Sequence, residues 1–338
     1  MRSMPRPRLP RLAFLLLAAL MLALLALACG GDDDDASSDA ASELDFSAEA
    51  VGRAFDPDVQ PQIVNSALGV GPTRLTIALI DSERGLIQDA AGTVRLYRLD
   101  EADAGTLVGE HALHGASIQT ETEHRHGDGT TEVHADPFAT FYYANVEFDV
   151  AGRWGIAVSV EIDGVARDTL LAAAFVVLER TPEPQIGDPL PASTHLTLRD
   201  VDDVSEINSL PEPIAALNER TVAEALATGQ PVLVAISTPA FCVSRFCGPI
   251  LEQVVHPLYA EFGDNVQFVH VEPYLLDEAR ANGRLVPVPL LAEWNLRSEP
   301  WIFLADRDGL VAAKFEGIAS IEEVRETLLR VVAANPSK

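Results

Sequence analysis

Four prolines crowd the stretch Thr181-Pro-Glu-Pro-Gln-Ile-Gly-Asp-Pro-Leu-Pro191. Proline lacks a backbone N–H and fixes φ, so neither a helix interior nor a central strand runs through such a segment. Pro211 and Pro213 follow shortly after. Residues 181–215 therefore read as a stiff connector, and the chain must build its structure on either side of it.

On the N-terminal side, residues 61–180 alternate apolar and polar positions with period two. Arg74–Ile80, Val94–Leu99, Phe141–Phe148, Trp154–Ile162 and Leu170–Leu178 read as half-buried strands. Ala151-Gly-Arg-Trp154 reads as a hairpin-like corner between two of them. With several short strands and no convincing helix, the pattern predicts an all-β sandwich of immunoglobulin type.

Residues 216–338 change register to an α/β pattern. A helix is expected from near Thr221 to Gly229, and a buried strand from Pro231 to Ser237. A longer helix runs from Pro249 to Phe262, and a second apolar strand from Val266 to Val271. Asp277 to Asn282 reads as a short helix. Trp301–Ala305 and Leu310–Phe315 flank the turn Asp306-Arg-Asp-Gly309. The last helix, Ile321 to Val332, is predicted to start on a capping box of Ser320 and Glu323.

The first 28 residues do not belong to this fold. Arg2, Arg6, Arg8 and Arg11 precede an apolar run from Leu12 to Ala28, the layout of a secretory signal. The run ends Ala26-Leu-Ala-Cys29-Gly-Gly followed by four aspartates, which resembles a bacterial lipobox. The resemblance implies cleavage before Cys29, a lipid on its thiol and a membrane-tethered protein on the extracytoplasmic face. Residues 29–60 then read as the lipidated cysteine and a disordered acidic tether. The chain carries 51 acidic against 24 basic residues, a formal net charge of −27. Such a field repels nucleic acid and excludes it as a partner.

With Cys29 assigned to lipid, Cys242 and Cys247 remain in an oxidising compartment. On one continuous helix, residues five apart lie more than about 7 Å from each other at Cα, out of disulfide reach. The pair needs a loop, and Pro249 predicts one, because proline is favoured at the first helical position. A helix N-terminus lowers the pKa of a nearby thiol, and Arg245 adds a positive charge. This points to Cys247 as nucleophile and Cys242 as resolving thiol, with the reverse order as the competing assignment. A static staple or a metal site are the other uses of such a pair. A ring this small gains only about 2 kcal/mol as a staple in the chain-entropy model.

The strand Pro231-Val-Leu-Val234 leads to Phe246-Cys-Gly-Pro249. Trp294-Asn-Leu-Arg-Ser-Glu-Pro300 follows, then a hairpin, Gly317 and a last helix. Taken in order, these features resemble the thioredoxin superfamily. The resemblance implies a thioredoxin-like fold, thiol–disulfide exchange on thiol- or disulfide-bearing proteins, and a cis-proline at Pro300 with Glu299 beside it. Three positions depart from the family. Ile250 stands where its second cysteine would fall, Ala235 where its buried acid would fall, and Glu299 where Thr, Val or Ile is usual. Thr238-Pro-Ala-Phe-Cys242 also resembles the approach to a peroxiredoxin cysteine. No cofactor is implied.

Five of the eight histidines fall between His111 and His134. His124, His126 and His134 are weak metal candidates, and a solvated His-rich loop is the plainer reading. The stretch Phe148-Asp-Val-Ala-Gly-Arg-Trp-Gly155 resembles exported sandwich domains found beside copper and respiratory proteins, which implies assembly partners of that kind. His256 and His270 are not expected to face the cysteine loop. His270 and Glu272, two apart, read as a buried structural pair.

Overall fold

A shared apolar core joins the two halves of this chain. The computed structural model describes residues 43–47, 49–50, 56, 58–120, 123–125, 131–133, 138–171, 173–242 and 244–334. The chain is β-rich, with several sheets and a few helices. Among the described residues, no helix is long and apolar enough to cross a membrane.

Two sheets make up the N-terminal half. One runs in the order Ala104–Ala112, Ala91–Leu99, Gly152–Ile162, Phe175–Leu178 and Leu68–Gly69, with Val165–Leu170 also on Gly152–Ile162. The other runs Val59–Ile63, Gly71–Asp81, Phe138–Phe148 and His114–Gln119, with Gly85–Leu86 on Gly71–Asp81. Leu75, Ile77, Leu79, Val94, Leu96, Tyr142, Trp154 and Ile156 fill the space between them. Phe148 meets Trp154 edge to face, with ring centroids 5.0 Å apart.

Two local expectations change here. Ala151-Gly-Arg-Trp154 is a corner rather than a hairpin, because Phe138–Phe148 and Gly152–Ile162 belong to different sheets. Leu170–Leu178 is not one strand but the last residue of Val165–Leu170 and all of Phe175–Leu178. The hairpin in this region is formed by Gly152–Ile162 and Val165–Leu170. Asp163 and Gly164 both have positive φ, 53° and 76°, as a tight two-residue hairpin turn requires.

The alternate residues of the second sheet do not meet water. Ala78, Ala116, Ile118, Ala139 and Phe141 enter a second apolar core with Leu233, Ala235, Phe246, Ile250, Val254, Phe315 and Leu328 of the C-terminal half. The side chains that a two-layer sandwich would leave solvated are thus covered. Ala78, Ala116 and Ala139 are small enough to let the layers approach closely.

The C-terminal sheet has the order Gln267–Val271, Val232–Ile236, Trp301–Ala305 and Val311–Glu316. The first pair is parallel and the other two are antiparallel. Val232–Ile236 is wholly buried. Leu233 and Ala235 face the shared core, while Val232, Val234 and Ile236 face a third cluster with Trp294, Trp301 and Phe303. Helix Val222–Leu226 has the full capping box of Thr221 and Glu224. The last helix, Ile321–Ala334, keeps only half of its predicted box. Glu323 N donates to Ser320 Oγ at 3.2 Å, but both carboxylate oxygens of Glu323 accept from Arg74.

The proline-rich stretch is packed, not free. Gly187 N donates to Val311 O, Val311 N to Asp188 O and Leu190 N to Gly309 O, each at 2.8 Å. Proline is tolerated on such an edge, where not every residue must donate. Lys314 and Glu183 add an ion pair at 2.6 Å.

Candidate functional site

The wholly apolar strand Val232–Ile236 delivers the chain to Ser237, Thr238 and a short 3-10 turn, Pro239–Phe241. Cys242 follows in extended conformation. Arg245 turns the loop back with φ 67°. Cys247 opens a helix that runs as Cys247–Ile250, a π-type turn at Leu251–Val255, and His256–Phe262. Pro257 explains the wider turn, since it has no N–H to give a carbonyl four residues back. The helix starts two residues before Pro249, so Cys247 is its first residue rather than the one ahead of it.

Cys242 and Cys247 form a disulfide pair with Cα atoms 5.9 Å apart. Both are buried, at 2% and 0% exposure. Cys247 N donates to Cys242 Sγ at 3.3 Å, and Ser244 Oγ lies at 3.3 Å from the same sulfur. The free N–H of the helix start is thus aimed at Cys242. Sequence reasoning had placed the benefit of that N-terminus on Cys247.

Pro300 sits at the same end of the sheet. Its neighbour Trp301 pairs with Ile236, directly before the segment that enters the cysteine loop. The Glu299–Pro300 bond is cis, and Pro300 is buried. Glu299 is half-buried and accepts a hydrogen bond from Tyr274 Oη at 3.1 Å. Burial raises its pKa, and the Tyr274 bond offsets part of that. Arg245 is half-buried within the loop.

A polar layer supports the loop from beneath. Ser237 Oγ donates to Cys247 O at 2.9 Å, and His270 Nε2 donates to Ser237 O at 2.9 Å. His270 therefore lies against the loop, contrary to the sequence expectation. Its Nδ1 is buried without a partner among the described residues, and burial lowers the imidazole pKa to about 4. His270 and Glu272 have separate partners. Glu272 accepts from Ser209 N at 3.0 Å and from Ser209 Oγ at 3.2 Å, and Ala240 N donates to Ser209 Oγ at 3.0 Å. Burial lifts the Glu272 carboxyl to about 7, with the Ser209 N–H and hydroxyl pulling the other way.

Ser209, Glu272 and Ala240 thus tie the connector to the loop. Glu272 had a visible signal, a carboxylate ending an apolar strand, whereas Ser209 had none. The histidine candidates are not assembled by what is described. His124 lies in the short strand Glu123–Arg125, while His126 and His134 fall outside the described residues. Among the described residues, no cluster of three or more His, Cys, Asp or Glu is placed to hold a metal ion. Cys29 also lies outside the described residues. Compared with models of known protein families and with curated proteins, the chain matches none.

Proposed function

We propose that this is an extracytoplasmic, lipid-anchored thiol–disulfide exchange protein, a thioredoxin-like unit behind an immunoglobulin-like sandwich. The observation that carries the reading is the bonded pair Cys242–Cys247 at the junction of a central strand and a helix start. That position supplies a thiolate with a backbone N–H donor, which lowers a thiol pKa. The strand into the loop and both strands of the later hairpin belong to one four-stranded sheet, and Pro300 directly precedes the first strand of that hairpin, which is consistent with this reading.

In this reading Cys242 is the stabilised thiolate, because its sulfur collects both donors, and Cys247 resolves. An incoming dithiol attacks the pair, the S–S bond breaks, and a mixed disulfide forms. The second thiol of the dithiol then displaces the protein sulfur. The dithiol leaves oxidised, and the pair holds two electrons and two protons more. Protein dithiols or disulfides are the partners, and the lipid on Cys29 keeps the exchange at the membrane surface.

The test is the rate at which the full chain oxidises a reduced dithiol peptide. Catalysis lost in Cys242→Ser and in Cys247→Ser supports the proposal. A rate no greater than the uncatalysed one sinks it. One observation favours a second reading, a non-catalytic binding scaffold with a static disulfide: both cysteines are almost fully buried.

A further inference from the structure

The residues that cover the cysteine loop come from the other half of the chain. The helix start Cys247–Ile250 packs on strand His114–Gln119. Phe246, the residue before Cys247, is buried and meets Phe141 edge to face with ring centroids 5.5 Å apart. Further along the helix, the Gln253 side chain acts as a clamp. Its Oε1 accepts from Gln119 N at 3.0 Å, and its Nε2 donates to Gln119 O at 2.7 Å. An amide side chain thus satisfies both backbone groups at the strand's end, as another strand would. The contacts are local to the segment that carries Cys247. They are separate from the Arg74–Glu323 pair, which joins the same two halves through the last helix.

A sulfur in a buried disulfide exchanges only when the segment around it opens, and the free energy of that opening is set by the contacts that must break. Here those contacts include Phe141–Phe246 and Gln119–Gln253. We infer that strand His114–Gln119 and Phe141 act as positioning residues that hold the Cys247 helix start closed and gate thiol access to the Cys242–Cys247 pair. The inference takes the exchange reading as its setting, but the gate itself would exist around a static disulfide as well. With a dithiol reductant, a thiolate attacks Cys242, the S–S bond breaks, and Cys247 leaves and takes up a proton. The second thiol then frees Cys242, and the reductant ends as its cyclic disulfide.

The experiment is the second-order rate of reduction of the full chain by dithiothreitol, with far-UV circular dichroism and Tm measured on each variant. Phe141→Ala is expected to speed reduction by about tenfold or more, and Phe141→Leu to restore most of the protection. Gln253→Leu, which keeps the side-chain bulk but breaks the clamp, is expected to speed it several-fold, and it decides the matter if Phe141→Ala does not fold. Arg74→Met is the control, because it loosens the same two halves away from the cysteine helix. The inference is overturned if reduction rates are unchanged in the folded variants. It is equally overturned if Arg74→Met accelerates reduction as much for the same loss of Tm, since global loosening would then suffice. The wild-type reduction potential, measured separately, bears on the exchange reading alone, so the two failures are distinguishable.

Discussion

Arg74 grips both carboxylate oxygens of Glu323 across 249 positions of sequence, through Nε at 2.6 Å and Nη2 at 2.9 Å. Both side chains are 9% exposed. Arg74 also donates to Ile318 O and Thr76 Oγ1, and its guanidinium lies 4.5 Å from the centre of the Tyr143 ring. Four of the five guanidinium N–H groups have an acceptor, the kind of pairing a buried ion pair needs to offset its desolvation.

Removing one partner is therefore worse than removing both. Arg74→Met should cost about 3–5 kcal/mol, since Glu323 is left buried and unpaired. The double variant Arg74→Met, Glu323→Leu should recover much of the loss. Equilibrium denaturation of the four proteins checks this, and additive losses would contradict it.

Glu272 predicts a pH dependence of stability. Its carboxyl is raised from 4.5 to about 7 in the folded chain, so the folded state holds a proton that the unfolded state releases. That contribution is complete below the unfolded value and is lost as pH rises through about 7. The full effect is on the order of 3 kcal/mol. His270, lowered to about 4, works the other way and costs stability as pH falls below its ordinary 6.5. Glu272→Gln should thus gain on the wild type as pH rises from 4.5 to about 7. Parallel stability curves for the two proteins would contradict the assignment.

The two cysteines should differ in trapping. Cys247→Ser leaves Cys242 as the only sulfur in the loop and should accumulate mixed disulfides with dithiol proteins. Cys242→Ser should accumulate few, because Cys247 is fully buried and lacks the donors that Cys242 has. Non-reducing gels of alkylated samples read both. Trapping through Cys247 alone would restore the order expected from the sequence.

The parts of the fold legible in the sequence are the long strands rich in apolar residues. One face of each of Gly71–Asp81, Ala91–Leu99, Phe138–Phe148 and Gly152–Ile162 lines the core between the sheets, and the other face of Gly71–Asp81 and Phe138–Phe148 enters the second core. Ala104–Ala112 carries two glycines and is mostly exposed, so it shows little alternation. Helix Pro289–Glu293 is too short for a period to register. At the site, the spacing of the cysteines and Pro249 made loop closure legible. The packing of Phe141 on Phe246 was not, because it joins residues more than a hundred positions apart and small alanines around it read as ordinary surface positions. The corner at Ala151–Trp154 was legible as a corner but not as one that passes between sheets, since a turn sequence does not reveal whether its strands pair.

In the proposed function, the lipid on Cys29 sets the localisation. Cys29→Ser should release the protein from the membrane fraction and abolish globomycin-sensitive processing. A mature N-terminus elsewhere with unchanged fractionation would remove the lipid anchor from the account.

The central claim is that Cys242–Cys247 exchanges electrons with partner dithiols. Its most direct test is the reduction potential of the pair in the full chain, from equilibrium with glutathione or dithiothreitol buffers of known ratio. The account predicts a value well above about −300 mV, the level below which structural disulfides lie. A value below that level, with the pair inert to reductant in the native state, would contradict it and leave a static scaffold.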